Sequence, residues 1–509
     1  MKKTVCLLCA FLLICGSAIA LQSCAKTPDT PSVENTTAAV ETPTEEVTAE
    51  VSTADPDWSY DLPVLNYENE KIRFFVEGQN FAADEFKADD LNGQLVNDAV
   101  FERNAVVESK LGVVFEFDVA SSSDVYAVGN KIRTNVGGGT YYYDIVTLPS
   151  YTHTAYALEG DFCNLLHVDN LNLDKHYWTQ GFNSIMSNGK RQYIASGAFS
   201  LSMIRNMYIT LYNKDELESR HLPDLYTLVG TKEWTVARQM EIIKDTYSDE
   251  TGNGIRDAGD FYGFVSGTNT SCDPYWVGFH MPILQVDKTT GVFSIDVDQT
   301  KMTDILLTIR NLIINNPDTW NKGSSGSDDG AYTMTAIEMF AASRCAMTTA
   351  TVYGIESVLT TSEFTGNYGI VPIPMFDADQ ENYYTHVQDQ LSVMAIVKNV
   401  PEENQPMLGA VMETLAYQSY ESVFPAYYES ALSYRYLQNP ESKEMLDLIY
   451  NSIRIEGCFI YSSSFAFLGQ LRSMASNSGT SPGALVRNGL SQLNSKLKKF
   501  NEDMSKLKD

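Results

Sequence analysis

The sequence predicts an α/β protein whose body is built on parallel sheets. Three observations carry this. Short β-rich runs alternate with stretches of helical apolar spacing, strand-helix-strand-helix-strand, early in the body. The alternation resumes in a second region and ends in a mostly helical tail. After the N-terminal leader, no segment is apolar for long enough to cross a bilayer.

The elements follow in order. Lys2 and Lys3 precede an apolar run from Val5 to about Leu21, which reads as a signal peptide over residues 1–23. Leu21-Gln22-Ser23-Cys24 closes it and resembles the lipobox of bacterial lipoproteins, which implies acylation of Cys24 and a membrane attachment through lipid alone. Residues 24–57 are rich in Thr, Glu, Pro, Ala and Val without a periodic apolar face. Such a stretch cannot bury enough apolar surface to offset chain entropy, so it reads as a disordered acidic tether.

Lys71–Val76 opens the body as a strand, Leu95–Leu111 carries helical spacing, and Val113–Phe117 returns to a strand. A helix over Val125–Val136, the break Gly137-Gly138-Gly139 and a strand at Tyr143–Thr147 complete the first set. The second α/β set starts near Met207–Tyr212, continues through a helix at Thr235–Tyr247, later includes Met302–Ile314 and Tyr368–Pro372, and ends with the strand signal at Leu391–Val397. The tail from Glu402 to Leu507 reads as helical.

The formal net charge of −29 excludes a nucleic-acid partner, because a phosphate backbone needs a basic face. Of the eight cysteines, Cys163, Cys272, Cys345 and Cys458 remain in the body, without a CxxC pair. Either one or two disulfides or buried free thiols fit them. The six histidines are scattered and no HExxH or phosphate-cradling loop occurs,. Gly479-Thr480-Ser481-Pro482-Gly483 spells GxSxG without the preceding strand a nucleophile elbow requires, so it reads as a turn. No catalytic residue is assigned.

The most specific local motif is Asp249-Glu250-Thr251-Gly252-Asn253-Gly254-Ile255-Arg256-Asp257-Ala258-Gly259-Asp260. Its spacing matches an EF-hand-type calcium loop, with Asp249, Thr251, Asn253, Asp257 and Asp260 offering side-chain oxygens, Ile255 its carbonyl, and Gly254 the sharp turn. The ion would be structural, pinning the end of the Thr235–Tyr247 helix. A solvated acidic turn is the alternative.

Tyr143-Asp144-Ile145-Val146, Tyr212-Asn213-Lys214, Glu233-Trp234-Thr235, Cys345-Ala346-Met347-Thr348 and Tyr368-Gly369-Ile370-Val371-Pro372 occur in an order that resembles the family 1 extracellular solute-binding proteins, the maltose-binding-protein-like receptors of ABC importers. The resemblance spans nearly the whole body. It implies a type II periplasmic-binding-protein-like fold with two α/β lobes, a hinge and an interlobe cleft. Lobe 1 would occupy residues 58–205, lobe 2 residues 206–385, a return to lobe 1 residues 386–430, and a helical tail on lobe 2 residues 431–509.

The function implied is capture of a carbohydrate, an oligosaccharide, for an ABC importer at the extracellular face of the cell membrane. Sugar rings stack on aromatic side chains while their hydroxyls need fixed polar partners. Tyr151, Tyr275, Trp276, Tyr353 and Tyr427 are the candidate aromatic contacts, and Asp389 the candidate polar one. Tyr353 follows the Ala346-Met347-Thr348 segment, where the resemblance implies ligand contacts. Tyr141-Tyr142-Tyr143 reads as strand packing. Two alternatives stay open: a surface glycan-active enzyme, whose paired acids would be a spatial feature, and a receptor for a non-sugar solute such as a peptide.

Overall fold

The computed structural model describes residues 57, 59–78, 82–120, 125–267, 269–321, 335–359, 364–428, 440–477 and 479–507. The leader, the predicted lipidation residue Cys24 and all of the tether but residue 57 lie outside them.

The first sheet contains β1 (Glu70–Val76), β2 (Val113–Val119), β3 (Ile145–Pro149) and β11 (Ser392–Ile396), in the order β11-β3-β1-β2. β1 runs parallel to β2 and β3, and β11 antiparallel to β3. β3 is buried throughout, as expected of a strand covered on both faces. β2, at the edge, alternates, and its Phe115 and Phe117 pack on Phe74 at 5.0 and 5.1 Å between ring centroids.

The helix Leu95–Leu111 connects β1 to β2 and buries Val100, Val107 and Leu111 along one stripe, the spacing that made it readable. It ends at Gly112, φ 62°, where a side chain would strike Asn66 Oδ1 at 2.0 Å. Glycine is therefore required twice, for the left-handed cap and for the close approach.

The second sheet contains β4 (Tyr208–Asn213), β5 (Tyr262–Val265), β8 (Thr319–Trp320), β9 (Cys345–Thr351) and β10 (Tyr368–Val371), in the order β10-β4-β9-β5-β8. β4 is antiparallel to both neighbours, and β5 is parallel to β9 and β8. β6 (Leu284–Asp287) and β7 (Val292–Ile295) form a separate hairpin. The core spans both sheets, each fully buried Phe or Leu contributing about 1.5–3 kcal/mol. Trp234 is fully buried with its indole N–H donated to the Pro372 carbonyl at 2.8 Å.

The chain passes from the first sheet to the second at 205–208 and returns at 386–391 into β11. The helix Gln405–Gln418 then packs on Leu95–Leu111, and Pro440–Asn451 packs on β10. The tail is less partisan than the sequence suggests. Pro482–Lys506 packs on Gln299–Ile309 beside the second sheet, but Thr154 Oγ1 of the first lobe contacts the Ile460 carbonyl and Ser463 Oγ, both at 3.2 Å. The tail thus bridges the lobes.

Cys163, Cys272, Cys345 and Cys458 are buried free thiols. Ser481 caps the last helix with Pro482 at its first turn, so the GxSxG string is a turn between helices. Tyr143 stacks on Phe75 at 4.5 Å and Tyr141 lies under the Arg73 guanidinium at 4.2 Å, whereas Tyr142 is exposed.

Candidate functional site: the interlobe cleft

The two crossing segments pair antiparallel at Met207 and Val387. Tyr208 N–H donates to the His386 carbonyl at 2.9 Å and Gln388 N–H to the Asn206 carbonyl at 3.0 Å. The strand ends of both sheets converge on this pair. From the first, Ser150 Oγ and Tyr151 N–H donate to the Asp389 carbonyl at 2.7 and 3.3 Å. From the second, Val352 N–H donates to the Met207 carbonyl at 3.1 Å. The pair is the floor of the fold's interlobe cleft, flanked by the end of β3 on one side and of β9 on the other.

One end of the floor is charged. Asp273, at the start of the short helix Asp273–Gly278, receives Arg472 Nε at 3.0 and 3.1 Å and also its Nη2. The Asp273 side chain is 1% exposed and that of Arg472 24%. Burial pushes the Asp273 carboxyl up to about 7 even though Arg472 pulls it down. Burial also raises Asp389, to about 6, with Arg472 and Ser462 opposing; Ser462 Oγ donates to its Oδ2 at 3.4 Å. Tyr208 stacks on His386 at 5.5 Å and 7°, and burial, then the charges of Asp273 and Asp389, hold its phenol protonated. On the same crossing segment Asn206, 3% exposed, has no partner for its Nδ2 among the described residues.

The other end is an ion-pair lock. Arg205 meets Glu356 through Nε at 3.2 Å and Nη2 at 3.1 Å, a bidentate geometry. Tyr427 donates to the same carboxylate at 2.9 Å and lies 4.9 Å from the guanidinium, ring centroid to carbon. Behind it, fully buried Glu85 accepts Ser202 N–H and Oγ, and burial pushes its carboxyl up to about 7.

Of the predicted contacts, Tyr151, Tyr353 and Asp389 are half-buried, each next to a residue bonded to the crossing pair or within it. Tyr275, Trp276 and Tyr427 do not present a stacking face. They are 0%, 0% and 1% exposed. All six residues of Asp273–Gly278 are buried, and Tyr275 donates to or accepts from Thr349 Oγ1 at 2.9 Å inside the lobe; that helix turns Tyr275 and Trp276 into the core, and Tyr427 is held inside on Glu356. Asp273, Arg472, Asn206, Tyr208 and Ser462 escape sequence reasoning, because Arg472 lies far along the chain on a tail helix with nothing local to mark it.

The Asp249–Asp260 loop is closed at its neck by mutual hydrogen bonds between Ser248 and Phe261, both 3.0 Å. Asp249 accepts Gly252 N–H at 2.7 Å and Gly254 N–H at 2.9 Å, Asn253 Oδ1 accepts Ile255 N–H at 2.6 Å, and Asp257 Oδ1 accepts Gly259 N–H at 2.7 Å. Thr251 Oγ1 lies 3.2 Å from Asp249 Oδ1 and 3.4 Å from Asp260 Oδ1. Gly252 and Gly254 have φ of 66° and 72°, which explains both glycines. The backbone N–H groups of Gly254 and Gly252 hold Asp249 below the usual carboxylate range. The donor set is all oxygen, which suits a hard cation, although among the described residues no three His, Cys, Asp or Glu side chains gather in a metal-binding group. The helix Val236–Ile243 ends before the loop, so the loop leads into β5 and does not abut that helix.

No protein-family model and no curated protein matches the sequence. Solved structures do. An ABC substrate-binding protein of Listeria monocytogenes in complex with cycloalternan is 14% identical, with a TM-score of 0.52, over 84% of this chain and 99% of that one. The GacH receptor of Streptomyces glaucescens, described unliganded and with acarbose, is 15% identical at a TM-score of 0.53, over 84% and 99%. UgpB from Mycobacterium tuberculosis, in complex with glycerophosphocholine, is 14% identical at 0.51, over 85% and 99%. The likeness shows the fold: the chain has the periplasmic-binding-protein-like α/β architecture of ABC substrate-binding proteins. No helix among the described residues is long and apolar enough to cross a membrane.

Proposed function

We propose that the protein captures a carbohydrate, an oligosaccharide, in the interlobe cleft and delivers it unchanged to an ABC importer, held at the extracellular face of the membrane by lipid on Cys24. The observation that carries this reading is the cleft floor. A half-buried tyrosine follows a strand end of each sheet, Tyr151 and Tyr353, and the crossing segments those ends bond to carry polar groups: Asp389, with Arg472 near it, and Asn206, whose Nδ2 has no partner among the described residues. Aromatic faces suit the apolar side of a sugar ring, and fixed donors and acceptors suit its hydroxyls. Two of the structural neighbours are described with sugars or sugar-like ligands, which supports the class, and the third with glycerophosphocholine.

Thermal melts of the full chain with neutral oligosaccharides and with short peptides test the class. A ligand at a hundred times its Kd stabilises by about 2.7 kcal/mol. Stabilisation by an oligosaccharide and by no peptide is expected; stabilisation by peptides alone would overturn the reading.

The same proposal includes a structural calcium ion at Asp249, Thr251, Asn253, Ile255, Asp257 and Asp260. The ion would take the carboxylate oxygens that backbone N–H groups now share and stiffen the entry to β5. Replacing Asp249 and Asn253 with Ala is expected to lower the melting temperature in calcium and to leave it unchanged in chelator. Equal melting of variant and wild type in both conditions would remove the ion from the account.

A further inference from the structure

A second cavity lies away from the cleft floor, with a volume of about 290 Å³. Its walls come from both lobes. His176–Gly181 and Gly197–Met203 precede the hinge, Tyr420 and Phe424 follow the helix Gln405–Gln418, and Tyr450–Ile453 ends the helix on β10. Ile453 pairs with Thr385 just before the crossing strand, so the cavity adjoins the hinge.

We infer that this cavity is a second solute site, taking a single uncharged sugar ring. Three observations select that chemistry. Tyr420, Phe424 and Tyr450 are only half-buried there; Phe424 meets Tyr450 at 5.4 Å and 59° while Tyr428 stacks on Phe424 at 5.5 Å and 9°, so two rings form a corner backed by a third. Gln180, Ser200 and Asn451 add amide and hydroxyl groups, while among the described residues no Asp, Glu, Lys or Arg lines the cavity; a charged solute would find no counter-ion among them. The rear wall is fixed in advance, because Glu413, 3% exposed, takes the Trp178 indole N–H at 2.8 Å and the Tyr177 hydroxyl. The volume is near the lower end of ligand pockets, about 300–1,000 Å³, which suits one ring. Contacts from both lobes mean that an occupied site favours this arrangement of the lobes.

The site does not rest on the cleft reading, and the variants separate the two. Gly181 borders the cavity and a Cβ there meets nothing within 4 Å, so Gly181→Phe can be built at the cavity's rim, where its ring competes with a ligand. Saturation-transfer NMR on the full chain, with glucose, galactose or mannose each at millimolar concentration, reads the site directly. At least one hexose is expected to give a signal in wild type and in the cleft variant Tyr353→Ala, and to lose it, with affinity at least tenfold weaker, in Gly181→Phe and in Tyr450→Ala. Circular dichroism of each variant identifies any that fail to fold. A signal that survives Gly181→Phe, one that disappears only in Tyr353→Ala, or none with any of the three hexoses on wild type overturns the inference. Failure of the cleft reading would instead show as absent oligosaccharide binding with the hexose signal intact.

Discussion

Replacing Arg472 with Ala is expected to destabilise the protein by about 3 kcal/mol, the lower end of the range for breaking a buried ion pair because the guanidinium is partly solvated. The loss comes from Asp273. Its carboxylate is 1% exposed, and the Arg472 Nε and Nη2 contacts are its side-chain partners. Without Arg472 the group has to protonate or remain charged in the interior, and both are costly. Urea unfolding should show a lower midpoint at unchanged slope. The double variant Asp273→Asn with Arg472→Met should recover much of the loss, since both charges are then gone. An unchanged midpoint for Arg472→Ala would mean the pair lies in open solvent.

The two carboxyls of this cluster set one pH dependence, which His386 opposes: burial holds its imidazole down to about 3, so its contribution is lost as pH falls below 6.5,. Asp273 is raised to about 7 and Asp389 to about 6, both above the ordinary 3.8 of an unfolded carboxyl. The stability they contribute is therefore complete below about 4 and is lost as pH climbs through 6 and 7. Each group accounts for at most about 1.4 kcal/mol per pH unit while it titrates, and Asp389 for less because solvent reaches it. Asp57 and Asp61, held low by hydrogen bonds from Lys175, act in the opposite direction, but only below the ordinary carboxylate range. Removing Arg472 should carry the Asp273 loss to higher pH.

Tyr353→Ala is expected to weaken oligosaccharide binding by about 1–3 kcal/mol, the effect of truncating an aromatic side chain that stacks in a contact. The fold should survive, because Tyr353 is only half-buried and its backbone continues a helix anchored by Val352 N–H on Met207. Calorimetry on wild type and variant reads the difference. Equal affinities would move the stacking platform to Tyr151.

Much of the fold was legible because local spacing decides it. The strand at Lys71–Val76 and the helix Leu95–Leu111 show in their apolar periods, and Gly112 marks where the helix stops. Strand order is another matter: β11 joins β3 across more than two hundred residues of chain, and β4 lies between β9 and β10, pairings set by tertiary packing that no local pattern encodes. The short strand Tyr262–Val265 and the hairpin β6–β7 lacked the length to stand out. The site divides in the same way. Tyr353 and Tyr151 could be proposed because they follow strand ends, but Tyr275 and Trp276 have the same composition signal and are core. An aromatic residue is a sugar platform or a packing element according to exposure alone, and exposure is a long-range property. The Asp273–Arg472 pair was invisible for that reason, its partners being 199 residues apart.

The central claim, that the cleft holds a sugar and leaves it intact, is tested most directly by incubating the full chain with the oligosaccharide that gives the largest thermal shift, measuring its affinity by calorimetry, and chromatographing the sugar recovered afterwards. The account predicts saturable binding that weakens in Tyr353→Ala and sugar recovered at its original length. Shortened sugar would make the protein a glycan-active enzyme, and affinity indifferent to Tyr353 and Arg472 would remove the sugar from the cleft.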